Sequence, residues 1–155
     1  MQQEANQMRK RATAIIIKDG AILLIKRIKP EREYFIFPGG GVDEGETIED
    51  ALRREVKEEL CLDVKKCRFL FEIENLSVPP FITIHAGCRN EYCFLIEDYG
   101  GIPKIGGPEK ERMTPENQYH VAWLTMEEFA TRPNIFPREA VEKIIAMFGK
   151  KFLDP

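Results

Sequence analysis

The sequence predicts an α/β domain in which helices pack on a mixed β-sheet. Three observations carry this. Two apolar, β-branched runs are joined by Asp19-Gly20, and an apolar stripe with helical period spans Ile48 to Leu60. The segments also come in the order strands, helix, strands, helix, which builds helices on a sheet.

Ala12 to Lys18 reads as the first strand and Ala21 to Ile28 as the second, with Asp-Gly between them as the hairpin turn. Lys29 to Glu33 is a charged loop. Phe35 to Phe37 leads into Pro38 and Gly39-Gly40-Gly41, which are expected to end regular structure. Thr47 is placed to cap a helix whose Ile48, Ala51, Leu52, Val56 and Leu60 form one apolar face. Phe69 to Glu74 and Glu91 to Glu97 are further strands, with Pro79-Pro80 and the short run Phe81 to His85 between them. Gly100 to Pro108 is an irregular, glycine- and proline-rich segment, and such loops are more often functional than idle. Tyr119 to Leu124 reads as a last strand, Thr125 to Phe129 as a short helix, and Pro137 to Phe148 as a longer one with proline near its first position.

The chain has 155 residues, 43% hydrophobic and 32% charged, which suits one globular domain over residues 11–155 behind a flexible segment 1–10. A net charge of −3 supplies no general field for nucleic acid or an anionic membrane. No apolar run reaches the length of a membrane span, and the first residues are polar, so a cytoplasmic location is expected. Cys61, Cys67, Cys88 and Cys93 form no CxxC pair. Buried, reduced thiols on strands are the expectation, rather than a metal cluster of His85, Cys88 and Cys93.

Glu55, Glu58 and Glu59 crowd one stretch of the predicted helix. Like charges at these spacings repel by a few tenths of a kcal/mol, so folding alone gives no reason for them. At 100° per residue, Glu55 and Glu59 fall on the side of Ile48 and Leu52, toward the protein body or a cleft. Carboxylates placed there need compensation, and a hard divalent cation with oxygen ligands supplies it. Upstream, Gly39, Gly40 and Gly41 let the backbone approach a ligand closely, with carbonyls available to a metal. Arg54 is positioned to pair with Glu46.

The spacing from Gly40 through Glu46, Arg54-Glu55-Val56 and Glu58-Glu59 to Leu62 resembles the signature box of the Nudix hydrolases. One position departs: Cys61 stands where the family has glycine, just past the helix end. Holding a left-handed conformation there costs on the order of 1 kcal/mol. The resemblance implies a Nudix-like α/β/α sandwich and hydrolysis of a pyrophosphate bond in a nucleoside diphosphate linked to another group, with Mg²⁺ or Mn²⁺. It implies Glu55, Glu58 and Glu59 as metal ligands, one of them or a later glutamate as general base, the Gly39 carbonyl as a further ligand, and Arg54–Glu46 as a structural pair. Gly40 and Gly41 would approach the substrate. Arg27 is similar to a basic residue that many members aim at phosphate. Glu109, Glu111 and Glu116 are candidates for an added metal-binding or basic glutamate, with Glu116 favoured by its nearness to the Trp123 strand. Phe35, Tyr119 and Phe136 are candidates to stack on a base.

The resemblance divides into substrate classes. A MutT-like nucleoside triphosphate hydrolase suits a single compact domain, and an ADP-ribose or nucleotide-sugar pyrophosphatase is the alternative. A nucleotide-binding domain without hydrolysis would be marked by lost box carboxylates, and all are present. The partner expected is a small-molecule nucleotide, not nucleic acid or membrane. Members are often dimers, which leaves a homodimer open.

Overall fold

The structure, a computed structural model, describes residues 10–74, 79, 81–82 and 90–153, with side chains described as far as Gly149. His85, Cys88 and Pro80 therefore lie outside the described residues, as does most of the run from Phe81 to His85. Nine strands and four helices are described. They are β1 (Lys10–Ile15), β2 (Ile17–Lys18), β3 (Ala21–Lys29), β4 (Arg32–Ile36), β5 (Gly39–Gly41), α1 (Ile48–Leu60), β6 (Asp63–Glu74) and β7 (Asn90–Gly100). Then follow α2 (Gly107–Arg112), β8 (Gln118–Thr125), α3 (Met126–Thr131), β9 (Ile135–Phe136) and α4 (Arg138–Leu153).

The strands form two mixed sheets rather than one. One runs β5-β1-β7-β6, with β1 parallel to β7. In the other, β3 pairs antiparallel with β2, β4 and β8, and β9 joins β4 in parallel. The run read as one strand breaks at Ile16: β1 belongs to the first sheet and β2 to the second, so this segment stitches the sheets together. Asp19 and Gly20 both take positive φ, 51° and 77°, as a two-residue Asp-Gly hairpin requires.

Period-two alternation then sends side chains into two cores. Ala12, Ala14 and Ile16, with Leu23 and Ile25, pack with Ala51, Leu52, Val56 and Leu60 of α1. Ile15, Ile22 and Leu24 pack instead with Phe129 of α3 and Ala140, Val141 and Ile144 of α4. This is the expected sandwich: α1 on one side, α3 and α4 on the other. Among the described residues no helix is long and apolar enough to cross a membrane.

Several expectations are corrected. The three glycines do not end regular structure but form β5, in register Arg11↔Gly41, Ala12↔Gly40 and Thr13↔Gly39. Propensity argues against a glycine strand, yet only glycine lets two backbones come this close: a Cβ on Gly39, at φ 148°, would stand 2.2 Å from the Ala12 carbonyl oxygen. Lys10, placed in the leading segment, is the first residue of β1. The glycine- and proline-rich segment holds a short helix, α2, and docks on the end of α1: the N–H groups of Lys104 and Gly106 donate to the carbonyls of Leu60 and Glu59 at 3.1 Å each. Those carbonyls have no partner within a helix of this length, and the loop satisfies them.

The expected cap at Thr47 holds. The Thr47 hydroxyl accepts from the Asp50 N–H at 3.1 Å. Thr125 and Glu128 make a reciprocal capping box on α3. Cys61 adopts φ 61°, ψ 31°, the left-handed conformation for which the family keeps glycine. Relieving it should stabilise the fold: Cys61→Gly is expected to raise the melting temperature by about 2–4 °C, since the penalty is on the order of 1 kcal/mol. An unchanged or lower midpoint in a thermal melt would refute this. Cys61, Cys67 and Cys93 are free thiols, but the expected burial on strands holds among them only for Cys93: Cys67 is partly exposed, and Cys61 is partly exposed and caps α1.

Candidate active site

Helix α1 presents its three glutamates at three depths. Glu59 is 2% exposed, Glu55 is largely buried and Glu58 is half exposed, at 19% and 48% for their side chains. The inward pair is the one the helical period predicts. Glu59 Oε1 accepts from the Gly39 N–H at 3.1 Å, joining the helix to the glycine strand. Glu55 lies against Gly40, where a Cβ would come within 2.2 Å of its carboxyl carbon. The absent side chain of Gly40 is therefore the space that Glu55 fills.

Burial dominates the electrostatics. It pushes the Glu59 carboxyl up to about 8, against the pull of the Arg11 guanidinium and the Gly39 N–H and with further push from the charges of Glu109 and Glu55. Glu55 is also raised, by burial, with Arg54 opposing. Glu46 moves the other way, down to about 2, because Arg54 and the Asp43 N–H bond to its charged form.

Arg54 organises this network. Its Nε donates to Glu46 Oε2 at 2.8 Å and its Nη2 to Glu46 Oε1 at 2.9 Å, a bidentate pair of the predicted partners. Nη2 also donates to the Gly41 carbonyl at 3.0 Å, and Nη1 to Glu55 Oε1 at 2.8 Å. The glycine strand, the Glu46 loop and the helix are thereby fixed to one guanidinium.

Among the described residues no three His, Cys, Asp or Glu side chains converge on one point. The donor set nonetheless fits a hard cation. Glu55 and Glu59 are oxygen donors on a rigid helix, both raised by burial despite the nearby Arg54 and Arg11, and Mg²⁺ uses one or two carboxylates with water and substrate phosphate completing its shell.

The remaining predicted residues separate. Arg27 is buried, at 6% exposure, with its guanidinium carbon 3.8 Å from the centroid of the Tyr119 ring and 5.9 Å from that of Tyr34. Lys26, of opposite parity, is partly exposed and pairs with Glu33 at 3.1 Å. Phe35 is not brought to this site: it packs in the far core with Phe37, Phe129 and Ile135. Strand alternation gives the α1 side to Tyr34 instead, whose ring meets Phe81 edge-on at 5.2 Å. Phe136 packs against Phe81 at 6.0 Å. Glu116 sits exposed on the turn between Thr114 and Asn117, and Glu111 is exposed as well. The glutamate whose charge reaches Glu59 is Glu109, half buried on α2. Nearness in sequence to the Trp123 strand favours Glu116, but docking of the preceding loop on α1 brings Glu109 closer.

Sequence reasoning misses Arg11. It is 1% exposed, its Nη2 donates to the Phe37 carbonyl at 3.1 Å and its Nε to Glu91 Oε1 at 3.3 Å. The Thr13 hydroxyl donates to the same Glu91 oxygen. A lone arginine before an apolar run looks like a solvated strand end. Only the β1–β7 register, Arg11↔Glu91, reveals the pair.

Known proteins support the fold and the family. This chain is 39% identical over 98 residues to an ADP-ribose pyrophosphatase of Methanocaldococcus jannaschii, covering 63% of this chain and 55% of that protein. It is 52% identical over 50 residues to the nucleoside triphosphatase NudI of Escherichia fergusonii, covering 30% of this chain and 35% of that protein. The match thus spans about half the length of the first relative and a third of the second. A crystal structure of a MutT NUDIX hydrolase from Burkholderia pseudomallei superposes with a TM-score of 0.65 at 27% identity, over 88% of this chain and 97% of that one. The family model of the NUDIX domain matches residues 8–144, nearly the whole chain, and takes in both the glycine strand and the acidic helix. The chain belongs to the NUDIX domain family.

Proposed function

We propose that this chain hydrolyses a pyrophosphate bond in a nucleoside diphosphate-linked substrate, with Mg²⁺ or Mn²⁺. The observation that carries the reading is the buried Glu59 carboxyl beside Glu55, two acids held on one helix where burial opposes their charge. Glu55, Glu58 and Glu59 would hold the cation, with the Gly39 carbonyl as a further ligand. Bound there, the cation supplies Lewis acidity, activation of water and neutralisation of phosphate charge.

The protein's own groups do the rest. Gly39 fixes Glu59 through its N–H, and Arg54 fixes Glu55 while its bidentate bond to Glu46 keeps the guanidinium in place. Glu109, whose charge acts on Glu59, would be the later glutamate to take a proton from the attacking water. Arg27, stacked on Tyr119, offers a fixed positive charge for substrate phosphate. Gly40 and Gly41 keep the approach to Glu55 free of side chains.

A nucleoside triphosphate is the first substrate class, supported by the similarity to NudI. ADP-ribose or a nucleotide sugar is the second, supported by the longer match to a relative of that name. Purified protein incubated with a panel of both classes separates them by products: a triphosphate yields nucleoside monophosphate and pyrophosphate, and ADP-ribose yields AMP and ribose 5-phosphate. Chelation with EDTA is expected to abolish turnover and excess Mg²⁺ or Mn²⁺ to restore it. Failure to cleave any panel member with either metal refutes hydrolysis.

A further inference from the structure

Phe37, Pro38 and Gly39 are each held by a different partner. The Phe37 carbonyl accepts from Arg11 Nη2 at 3.1 Å, and the Pro38 carbonyl from the Ala14 N–H at 2.9 Å. The Gly39 N–H donates to Glu59 Oε1 at 3.1 Å. In an antiparallel ladder, alternate residues exchange bonds with the partner strand. The Ala14–Pro38 bond and the Val42–Lys10 bond, 3.0 Å, flank the pair Ala12↔Gly40, so Gly40 faces β1 and Gly39 faces away from it. The Gly39 carbonyl therefore lies on the side where Glu59 meets its N–H, along the edge strand of the sheet.

Arg11 is itself set in place. Its Nε donates to Glu91 Oε1 at 3.3 Å, the Thr13 hydroxyl donates to the same oxygen, and both charged side chains are buried. A buried ion pair adds little stability over apolar residues of similar volume. What apolar residues could not supply is an N–H aimed at the Phe37 carbonyl, two residues before Gly39. The guanidinium also stands within electrostatic reach of both inward acids. Burial raises Glu59 and Arg11 is the charge that opposes it most, and Arg11 acts in the same sense on Glu55.

We propose that Arg11, held by Glu91, is a positioning residue for the cation site, fixing the Phe37–Gly39 backbone so that the Gly39 carbonyl is presented to the cation beside the Glu59 carboxylate. The inference rests on the proposed cation site and adds the residues of β1 and β7 that hold it in shape. Arg11 and Glu91 act through the glycine strand and touch neither cation nor substrate. Groups that orient metal ligands in this way commonly change metal affinity as much as a ligand's own neighbours do.

The test uses Mn²⁺ alone as the probe. Its Kd is read from the electron paramagnetic resonance of the free ion, and its ligands from electron–nuclear double resonance on protein labelled with [1-¹³C]glycine. Arg11→Met combined with Glu91→Leu removes the pair without leaving a buried charge, so this variant should melt near the wild type. Its Kd for Mn²⁺ is expected to rise about 10- to 100-fold, and the glycine carbonyl ¹³C coupling of the wild type to be lost. Arg11→Lys keeps the charge beside Glu91 but not the fork that reaches both partners; it serves if the double variant does not fold, with the same losses expected. A folded variant that keeps the wild-type Kd or the wild-type coupling overturns the proposal, as does wild-type protein that binds Mn²⁺ with no glycine carbonyl coupling. Wild-type protein that shows the coupling but cleaves no panel substrate refutes hydrolysis alone, and the Kd comparison still decides Arg11. Wild-type protein that binds no Mn²⁺ overturns both the cation site and this inference.

Discussion

Glu59→Gln is expected to lower kcat/KM by about a hundred- to a thousandfold while making the metal-free protein more stable at alkaline pH. The loss follows from withdrawing a charged oxygen from the proposed cation site, comparable to removing one preorganised electrostatic contact in an enzyme. The gain follows from linkage. The Glu59 carboxyl ordinarily titrates near 4.5 and is pushed by burial to about 8 in the fold. Between those values the folded state holds a proton that the unfolded chain has released, so stability falls as pH rises through the window and levels off above it. Glutamine keeps an oxygen to accept from the Gly39 N–H and has no charge to bury. Above pH 8 the variant should therefore exceed the wild type by on the order of 5 kcal/mol. Thermal melts in EDTA at pH 5 and pH 9 check this: the two proteins should nearly coincide at the lower pH and separate at the higher. Adding Mg²⁺ should raise the wild-type midpoint and leave the variant's less changed. Equal midpoints at pH 9 would refute the cost of burying the Glu59 charge, and retained activity would remove Glu59 from the cation site.

Gly39→Ala and Gly40→Ala should fail in different ways. A methyl on Gly39 would meet backbone, 2.2 Å from the Ala12 oxygen and 2.9 Å from the Thr13 Cα, at a φ of 148° that a side chain resists. Neither strand can yield without breaking the β1–β5 register, so a loss of about 3 kcal/mol or more is expected. On Gly40 the methyl would meet the Glu55 carboxylate, 2.2 Å from its carbon, which is the far end of a flexible side chain. Glu55 can swing aside, so that variant should melt near the wild type and lose activity. Chemical denaturation and the turnover assay separate the two outcomes. A Gly39→Ala protein as stable as the wild type would contradict the close approach of β5 to β1.

Much of the fold and of the box is legible in the order of residues alone. The hairpin is written in Asp19-Gly20, and α1 in its apolar period and its Thr47 cap. The inward placement of Glu55 and Glu59 follows from 100° per residue, and the Arg54–Glu46 pair from the spacing of the box. Cys61 is marked as the residue that must take a left-handed conformation, and it does, at φ 61°.

Other features are not legible, for reasons that differ. Gly39–Gly41 carries the composition of a turn and becomes a strand because pairing with β1 outweighs propensity. Phe35 and Tyr34 are adjacent aromatics, and only the sheet's orientation tells which faces α1. Arg11 and Glu91 are distant in the chain and meet through a parallel register that no local pattern encodes.

The acidic helix marks the same division. Residue order is enough to define the box: which carboxylates share a face and which glycines precede them, while the bond chemistry is what its resemblance to the Nudix signature implies. Those relations lie within one helix and its flanking loop, where spacing is geometry. Folding sets how deep each acid sits, brings Glu109 and not Glu116 near Glu59, and holds Arg27 against Asn117. These depend on the docking of segments separated by tens of residues, and burial, which shifts the Glu59 carboxyl, exists only once those segments have met.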